Sequence, residues 1–553
     1  MNSKRHQTIR ALLGFAGLLF AAGPSCQQSG DDLFDANHLI EVEIELAQQD
    51  WDELRQEGRG LATVFSACDR EFEYSYFDAT VVVDGEKIEH AGVRKKGFLG
   101  SLSVFRPSLK VNFGKFIPDQ SHRGMKRLTL NNDRQDLSHS HQVMSYALFS
   151  EAGVVAPRCN FARVTVNGED LGIYSHVESI KKPFLENHFN DTNGNLYEGQ
   201  GADFTPELIA RFERKTNKTA IDGGTPDRSD LDRVTQALSV GDTELLTALE
   251  QVIDLDAFLT FWAMEVIVGH WDGYSGNRNN FYVYHDPETD LFHFIPWGTD
   301  GSFGLRHAFL PDIPTSVYAW GHIAHRLYTN PETRALYQQK LQSLLNDVWD
   351  EDALLASVDR IDRLVSPDNS TLEVQRQFIS NRRADILDEL TGGGPEWPYP
   401  PISRTPECQE PQAVSGSFSA SWGSTENFVS NENLSLNLTV NGEAQVFTQI
   451  LNSVGLEENP DNGAGSLASI KVIGLREAGN PLVVVLNVMP SQVATGEVPF
   501  HGFETFGVVV ELIQAEEEFK IIGYIGDGTI SFDAAGTKPG DEVSGSFSGL
   551  MPH

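Results

Sequence analysis

An aspartate and an asparagine with a spacing suited to chemistry follow an apolar run, in the stretch 270-HWDGYSGN-277. Asp272 and Asn277 have four residues between them. Phosphoryl transfer uses this spacing, with the aspartate near the acceptor's proton and the asparagine on a divalent metal. The loop also fits an Asx-type turn in which Asn277, Asn279 and Asn280 cap backbone groups. The spacing alone leaves both interpretations open.

Phosphoryl transfer also requires a cation on the phosphates and a carboxylate on the metal. Lys110, in the predicted strand 106-RPSLKVNF-113, is a candidate for the first role, although a solvent-exposed strand lysine is the more common occurrence. Asp300, in 296-PWGTDGSFG-304, is a candidate for the second, although Asp-Gly is also a common turn. These residue types permit phosphoryl transfer without requiring it.

Strand patterns dominate the first part of the chain, which must position Lys110. The predicted elements are a strand at 38-HLIEVEIEL-46, a short helix at 48-QQDWDELRQEG-58, strands between residues 75 and 113 with a turn at 84-DGE-86, a helix over residues 137 to 153, and a hairpin over residues 161 to 179 that turns at Asn167-Gly168. Asp-Gly and Asn-Gly between alternating runs are strong hairpin signals.

Helical patterns dominate residues 205 to 395, where a strand pair is predicted at 281-FYVYHDPETDLFHFIPW-297. Residues 392 to 412 are rich in Gly and Pro and are interpreted as a linker with few contacts across it. Residues 413 to 553 show short alternating runs and Gly/Ser turns, typical of a small β-sandwich. The tag VSGSFS begins at 414 and again at 543, which suggests first and last strands in one environment.

The composition excludes some partners. The 42 basic and 78 acidic side chains give a formal net charge of −36, which repels nucleic acid and anionic membrane surfaces. A chain of 553 residues, 40% of them hydrophobic, is long enough for two or more domains with ample cores. We therefore expect no nucleic-acid partner.

The N-terminus has the pattern of an export signal, with basic residues before the apolar run ALLGFAGLLFAAGPSC. Cys26 follows small residues and precedes a polar stretch, as the lipid-bearing cysteine of a bacterial lipoprotein does. Gly23 stands where a strong lipoprotein signal has leucine, so an ordinary secreted protein is the alternative. We expect an extracytoplasmic protein whose membrane contact is made through a lipid anchor.

The other cysteines are Cys68, Cys159 and Cys408, which are too widely spaced for a zinc site or a disulfide scaffold. An oxidising compartment would permit one bridge. We expect Cys68 to pair with Cys159, since both lie in the same predicted domain.

Several stretches, in this order and spacing, carry a resemblance to a known family. They are 92-GVRKKG-97, 107-PSLKVNF-113, 128-LTLNN-132, residues 153 to 185, 271-WDGYSGNRNNFYVY-284 and 293-HFIPWGTDGSFG-304. Residues 38 to about 390 thereby resemble the CotH family of spore-coat-protein-H-like kinases, which are similar to atypical protein kinases of the secretory pathway. The resemblance implies ATP-dependent phosphorylation of Ser or Thr on an exported or surface protein, with Mg or Mn.

The resemblance also implies roles for particular residues. Arg94 and Lys110 would face the phosphates, Asp272 would be the catalytic carboxylate, and Asp300 would hold the metal.

The second metal ligand and the adenine contact stay open. Asn277 has the kinase spacing, but Asn280 matches the family at least as well. Glu178 occupies the place of the hinge and would lie near the adenine, or would instead cap the helix that follows.

The chain departs from the family pattern at three points. The family's Pro-Trp-Asp-x-Asp is Pro-Trp-Gly-Thr-Asp here, so Gly298 offers no ligand. The predicted helix over residues 137 to 153 has no clear glutamate to pair with Lys110, and no Gly-rich phosphate loop of the usual spacing is found. ATP is also scarce outside the cytoplasm. A non-catalytic surface structural or adhesion protein is therefore the alternative, and a carbohydrate-active enzyme ranks last.

The sequence thus predicts an α+β protein, with an atypical protein-kinase-like domain followed by a small all-β sandwich-like domain. The expected organisation is a signal peptide over residues 1–26, a tether over 27–37, the kinase-like domain over 38–391, a linker over 392–412 and the β-domain over 413–553.

Overall fold

The structure is a computed structural model. It describes residues 30–68, 72–217, 221–222, 225–304, 313–367, 369–402, 407–430, 435–440, 442–459, 465–513 and 518–552. Cys26 and the predicted signal peptide lie outside the described residues. Within the described part of the chain, no helix is both long and apolar enough to cross a bilayer.

The first strands of the chain form a closed barrel. They are β1 Leu39–Glu45, β2 Phe77–Val83, β3 Glu86–Lys96, β4 Ser108–Asn112, β5 Arg127–Asn131, β6 Cys159–Val166 and β7 Glu169–Val177. The order around the barrel is β1-β2-β3-β4-β5-β7-β6, and β1 closes it by pairing in parallel with β6. Alternate apolar residues such as Ile40, Val42 and Ile44 fill the interior because successive side chains of a strand point to opposite faces.

Both predicted hairpin turns of the barrel are confirmed. Val83 pairs with Glu86 across Asp84-Gly85, and Val166 pairs with Glu169 across Asn167-Gly168. All four turn residues have positive φ, as a two-residue turn between twisted strands requires.

The described part of the chain also forms α-helices and a second, four-stranded sheet. The helices are α1 Gln48–Gln56, α2 Leu61–Phe65, α3 His141–Glu151, α4 Lys182–His188, α5 Asp232–Leu238, α6 Asp242–Glu250, α7 Leu255–Ile267, α8 His322–Thr329, α9 Pro331–Asp347, α10 Glu351–Val365 and α11 Asn369–Leu390. The strands are β8 Asn195–Gly199, β9 Phe212–Arg214, β12 Phe281–Asp286 and β13 Leu291–Pro296, in the order β13-β12-β8-β9, and a separate two-residue pair is β10 Ile221–Asp222 with β11 Thr225–Pro226. The predicted strand pair over residues 281 to 297 is therefore confirmed.

The helix predicted over residues 137 to 153 begins later, at His141. His139, inside the predicted range, has a positive φ of 57°, which a right-handed helix does not allow. The carboxylate of Asp136 accepts the backbone N–H of His141 at 2.7 Å, so the helix starts where this acceptor is available.

The C-terminal strands form a sandwich-like all-β domain, as expected. They are β14 Gln412–Gly423, β15 Val429–Ser430, β16 Leu436–Asn437, β17 Thr439–Val440, β18 Glu443–Ala444, β19 Gln449–Asn459, β20 Gly465–Leu475, β21 Leu482–Val488, β22 Gly496–Pro499, β23 Phe506–Ile513, β24 Glu518–Ala535 and β25 Glu542–Met551. The main sheet curves until β14 pairs with both β25 and β19. The two VSGSFS tags are adjacent, with Gly416 opposite Phe547 and Ser417 opposite Ser546, so the first and last strands do share one environment.

The predicted disulfide is wrong. Cys68 is bonded to Cys408, 340 residues away, and within the described residues Cys159 is the free cysteine. Cys159 begins β6 and packs against the apolar core of the helical part, whereas Cys68 follows α2, beside the segment that leads into the C-terminal domain. Tertiary proximity, rather than membership of one predicted domain, decides the pairing.

The expectation of few contacts between the two domains is also wrong. Leu61 of α2 packs with Leu467 and Phe506 of the C-terminal domain. The carboxylate of Asp527 accepts hydrogen bonds from the backbone N–H and the hydroxyl of Thr63, both at 3.0 Å. A chain ending near residue 395 would therefore expose apolar surface that the intact protein buries.

Candidate active site

Glu265, a fully buried residue of α7, holds the loop that carries Asp272. The Glu265 carboxylate accepts the backbone N–H groups of Tyr274 and Ser275, each at 2.8 Å, and the Ser275 hydroxyl at 2.5 Å. A Cβ on residue 273 would stand 2.1 Å from Glu265 Oε1, so only glycine fits there. Burial raises the pKa of Glu265 to about 7. The loop is thus held in one conformation.

Side-chain amides surround the carboxylate of Asp272. Asn277 Nδ2 donates to Oδ1 at 2.7 Å, Asn280 Nδ2 donates to Oδ2 at 2.6 Å, and Asn279 Nδ2 lies 3.3 Å from Oδ2. The asparagines therefore bind this aspartate, in contrast to the Asx-turn interpretation, in which they would cap backbone groups.

The pKa of Asp272 is raised to about 7. Burial is the main cause, the hydrogen bonds from Asn277 and Asn279 act against it, and the negative charge of Asp300 adds to it. A carboxylate with a pKa near neutrality can accept a proton from a substrate more readily than an ordinary aspartate can.

Asp300 lies in a 3-10 turn, Thr299–Gly301, that follows β13. Its charge acts on Asp272 and on Lys96 of β3, and the region of these three residues is called here the cleft. It is 7% exposed, and burial raises its pKa to about 6 against the opposing positive charge of Lys96. A ring nitrogen of His141 donates to the backbone carbonyl of Asp300 at 2.8 Å, which ties the turn to the start of α3. Burial with a raised pKa indicates a carboxylate that a bound cation would stabilise.

Gly298, the departure from the family pattern, adopts a left-handed conformation, with φ 51° and ψ 47°. A Cβ on this residue would stand 2.6 Å from Oδ1 of Asn280. The space that a carboxylate would enter at residue 298 is therefore already limited by the asparagine amide.

The side of the cleft formed by β3 and β4 carries Arg94, Lys96 and Lys110 and is called here the basic wall. Arg94 and Lys96 alternate along β3, and Lys110 of β4 lies opposite Arg94 in the strand register. Burial lowers the pKa of Lys110 to about 7, and the charges of Lys181 and Arg94 lower it further. Burial also lowers the pKa of Lys96, with the charge of Asp300 opposing the shift. Cations crowded at one wall favour an anionic ligand such as a phosphate chain.

Arg94 is restrained by aromatic rings. Its guanidinium carbon lies 5.7 Å from the ring centre of Tyr74 and 5.5 Å from that of Tyr76. Cation–π contacts of this kind hold an arginine in place without removing its charge.

Glu178 is 9% exposed and forms an ion pair with Arg158. Arg158 Nη2 donates to Oε1 at 2.8 Å and Nε donates to Oε2 at 3.0 Å. The hydrogen bonds described for the Glu178 carboxylate all come from Arg158, and the N-cap residue of α4 makes no side-chain capping bond, so the helix-capping alternative is not observed. A contact of Glu178 with adenine stays a prediction.

Sequence reasoning missed several residues of this cleft. Lys96 has a clear signal, because the period of two along a strand puts it on the same face as Arg94. Glu265 has a weaker sequence signal, because it is a lone acidic residue in the middle of an apolar helix. His141 could not be assigned from spacing, since its partner Asp300 is brought to it by the fold.

The donor set fits a divalent metal. Asp300 and the side-chain oxygens of Asn277 or Asn280 are hard oxygen ligands, which Mg and Mn prefer. The basic wall of Lys96 and Lys110 fits the phosphates of a nucleotide.

Comparison with known proteins gives one family. The family model described as "CotH kinase protein" matches residues 93–388. Inner spore coat protein H of Bacillus subtilis is 24% identical over 300 residues, covering 50% of this chain and 82% of that protein. Invasins CotH2 and CotH3 of Rhizopus delemar are each 25% identical over 249 and 250 residues, covering 41% of this chain and 41% of each invasin.

Among solved structures, a crystal structure of the Helicobacter pylori proinflammatory kinase CtkA matches with 9% identity and a TM-score of 0.25. The match covers 51% of this chain and 88% of that one.

Proposed function

Since this chain belongs to the CotH family, we propose that it is an exported, ATP-dependent protein Ser/Thr kinase of the CotH type that works with Mg or Mn. The observation that carries the proposal is Asp272, with a pKa near 7 and amide donors on its carboxylate, in one cleft with Asp300 and a basic wall. Proton acceptance and metal binding both need such carboxylates.

The basic wall would bind the nucleotide. Lys96 and Lys110 would pair with phosphate oxygens, and Arg94 would add charge from its place beside Tyr74 and Tyr76. A divalent metal, when bound by Asp300 with Asn277 or Asn280, would neutralise charge on the phosphates.

Asp272 would act on the acceptor. Its carboxylate would take the proton of a Ser or Thr hydroxyl, and the amides of Asn277 and Asn280 would keep it oriented. Glu265 would keep the supporting loop in place during the reaction. Together these residues would contribute positioning and electrostatics, which are the main protein contributions to phosphoryl transfer.

We propose an extracytoplasmic location and an exported or surface protein as substrate. The named relatives are a spore coat protein and invasins, which are surface proteins by name. Residues 1–26 would be the export signal, and Cys26 would carry the lipid anchor. The net charge of −36 makes nucleic acid an unsuitable partner.

A non-catalytic surface structural or adhesion protein is the second candidate. The observation that favours it is Gly298, where the family's carboxylate is replaced and the backbone conformation suits glycine. A metal with one carboxylate fewer would be held more weakly.

The test is incubation of the purified protein with labelled ATP and either Mg or Mn, reading self-phosphorylation and transfer to surface proteins. We expect metal-dependent labelling that the Asp272→Asn variant lacks. A metal-dependent thermal shift with ATP should accompany it. If the wild-type protein shows neither labelling nor a thermal shift, the kinase proposal fails and the structural candidate takes its place.

A further inference from the structure

The two strands of the basic wall, β3 and β4, are joined by a loop over residues 97–107, called here the β3–β4 loop. Lys96 precedes it directly, and Lys110 is the third residue after it. On the kinase-like side, Asn132 Nδ2 donates to the carbonyl of Ser101 at 3.1 Å and to that of Arg106 at 2.6 Å. Lys96 pairs with Ser108 at the end of the β3–β4 ladder, so the loop adjoins the ladder positions that carry the cations.

The C-terminal domain holds the same loop from the other side. Glu504 is 5% exposed, and its Oε2 accepts the backbone N–H of Val104 at 2.9 Å. Arg134 Nη1 lies 3.8 Å from Glu504 Oε1 and also donates to the carbonyl of Leu102. One buried carboxylate of the C-terminal domain thus acts on the loop directly and through an arginine.

Apolar contacts and a second polar contact strengthen this junction. Leu99 packs against the cluster of Leu61, Leu467 and Phe506. On the opposite face of β3 from Lys96, the fully buried Lys95 lies with its Nζ 2.9 Å from Nε2 of His501. The end of β3 and the loop after it are therefore both seated on the C-terminal domain.

We infer that the C-terminal domain positions the β3–β4 loop, with Glu504 as the positioning residue, and thereby sets the affinity of the cleft for the triphosphate of a nucleotide. The inference rests on the proposed function and deepens it. Loosening the loop would fray the end of the β3–β4 ladder where Lys96 pairs with Ser108, so that Lys96 would move relative to Lys110 and the phosphates would bind more weakly. Asp272, on a separate loop held by Glu265, would keep its orientation.

The test uses the full chain with Glu504→Ala, Glu504→Gln and a matched control, Asp527→Ala. Asp527 also accepts a backbone N–H across the domain junction, from Thr63 of α2, and among the described residues its hydrogen bonds do not involve the β3–β4 loop. We expect Glu504→Ala to speed hydrogen exchange in residues 97–107 and to weaken Mg-ATP binding roughly tenfold, about the effect of one lost hydrogen bond. KM for ATP should rise with little change in kcat. Glu504→Gln, whose amide oxygen can still accept from Val104, should restore much of the affinity.

Asp527→Ala should leave ATP binding and exchange in the loop unchanged. If Glu504→Ala keeps wild-type affinity for Mg-ATP and wild-type hydrogen exchange in the loop, the inference is wrong and the proposed function is unaffected. The same holds if Asp527→Ala loses as much affinity as Glu504→Ala. A wild-type protein that binds no nucleotide would overturn the proposed function, and this inference with it.

Discussion

Asn280 connects Asp272 to Gly298: its Nδ2 donates to Asp272 Oδ2 at 2.6 Å, while its Oδ1 lies 2.6 Å from where a Cβ of residue 298 would stand. A side chain at residue 298 would push the amide away and disturb its hydrogen bond to the candidate catalytic carboxylate. The glycine at residue 298 therefore leaves room for the Asn280 amide, which in turn orients Asp272.

Substitution at Gly298 should separate the effect of a side chain from that of a carboxylate. Gly298→Ala and Gly298→Asp should both lower Tm, because a non-glycine residue in the left-handed region costs about 1–2 kcal/mol. Only Gly298→Asp adds a metal ligand, so it should bind Mg-ATP several-fold more tightly than Gly298→Ala. Calorimetric titration of both variants with ATP, with and without Mg, measures the difference. Equal affinities would show that a carboxylate at this position does not reach the metal.

Asp272→Asn should keep the fold and lower phosphoryl transfer by about 10²–10⁴-fold, as loss of a general base does. ATP affinity should change little, since Asp272 faces the acceptor in the proposed mechanism. Asp286→Asn is the control, because Asp286 is also a buried carboxylate but accepts hydrogen bonds from Glu288 and Thr289 in the turn between β12 and β13. Initial rates with labelled ATP measure the effect. Full activity in Asp272→Asn would remove this residue from the mechanism.

Glu265→Gln should lower kcat through the loop that it supports. The glutamine NH₂ group would face the N–H donors of Tyr274 or Ser275, leaving a buried donor unpaired at a cost of about 1–3 kcal/mol. Glu389→Gln is a matched control, because Glu389 also accepts two backbone N–H groups, from residues 315 and 316, which lie outside the loop that carries Asp272. Both variants should lower Tm, and only Glu265→Gln should lower kcat. If Glu265→Gln and Glu389→Gln lowered kcat equally, Glu265 would have a purely structural role.

The contact between Lys95 and His501 should make stability depend on pH. Burial lowers the pKa of His501 to about 3, and the charges of Lys95 and Arg134 lower it further. The unfolded chain takes up a proton here near pH 6.5 and the folded protein only near pH 3, so this contribution to stability is lost as pH falls from 6.5 to 3. His501→Asn retains an acceptor for Lys95 and does not titrate.

The variant should therefore lose less of its free energy of unfolding between pH 7 and pH 4 than the wild type loses. Urea denaturation at both pH values measures this. Identical losses would mean that His501 is not held neutral in the folded protein.

Reduction of the Cys68–Cys408 bond should lower Tm, because the bond closes a loop of 340 residues and restricts the unfolded chain. Loop closure of this length contributes about 6 kcal/mol in the chain-entropy model. Cys68→Ser should therefore melt at a lower temperature, and a reducing agent should have no further effect on it. Cys159→Ser should respond to the reducing agent as the wild type does. A wild-type Tm that is unchanged by reduction would contradict this expectation.

Local patterns in the sequence were enough for much of the fold. Asp84-Gly85 and Asn167-Gly168 determine their turns because few other residues adopt positive φ at low cost. Alternation along β3 and β4 fixes which residues share a face, and the apolar run before His270 predicts a buried helix. The α+β class and the strand pair before Asp300 follow from such local rules.

Tertiary structure alone decided which distant groups meet. Cys68 lies beside Cys408, and Val104 beside Glu504, because two folded domains pack together, and no local spacing encodes that contact. The raised pKa of Asp272 likewise depends on burial and on Asp300, which is brought from another loop. Propensity and periodicity act over a few residues, whereas burial, charge coupling and domain packing depend on the whole fold.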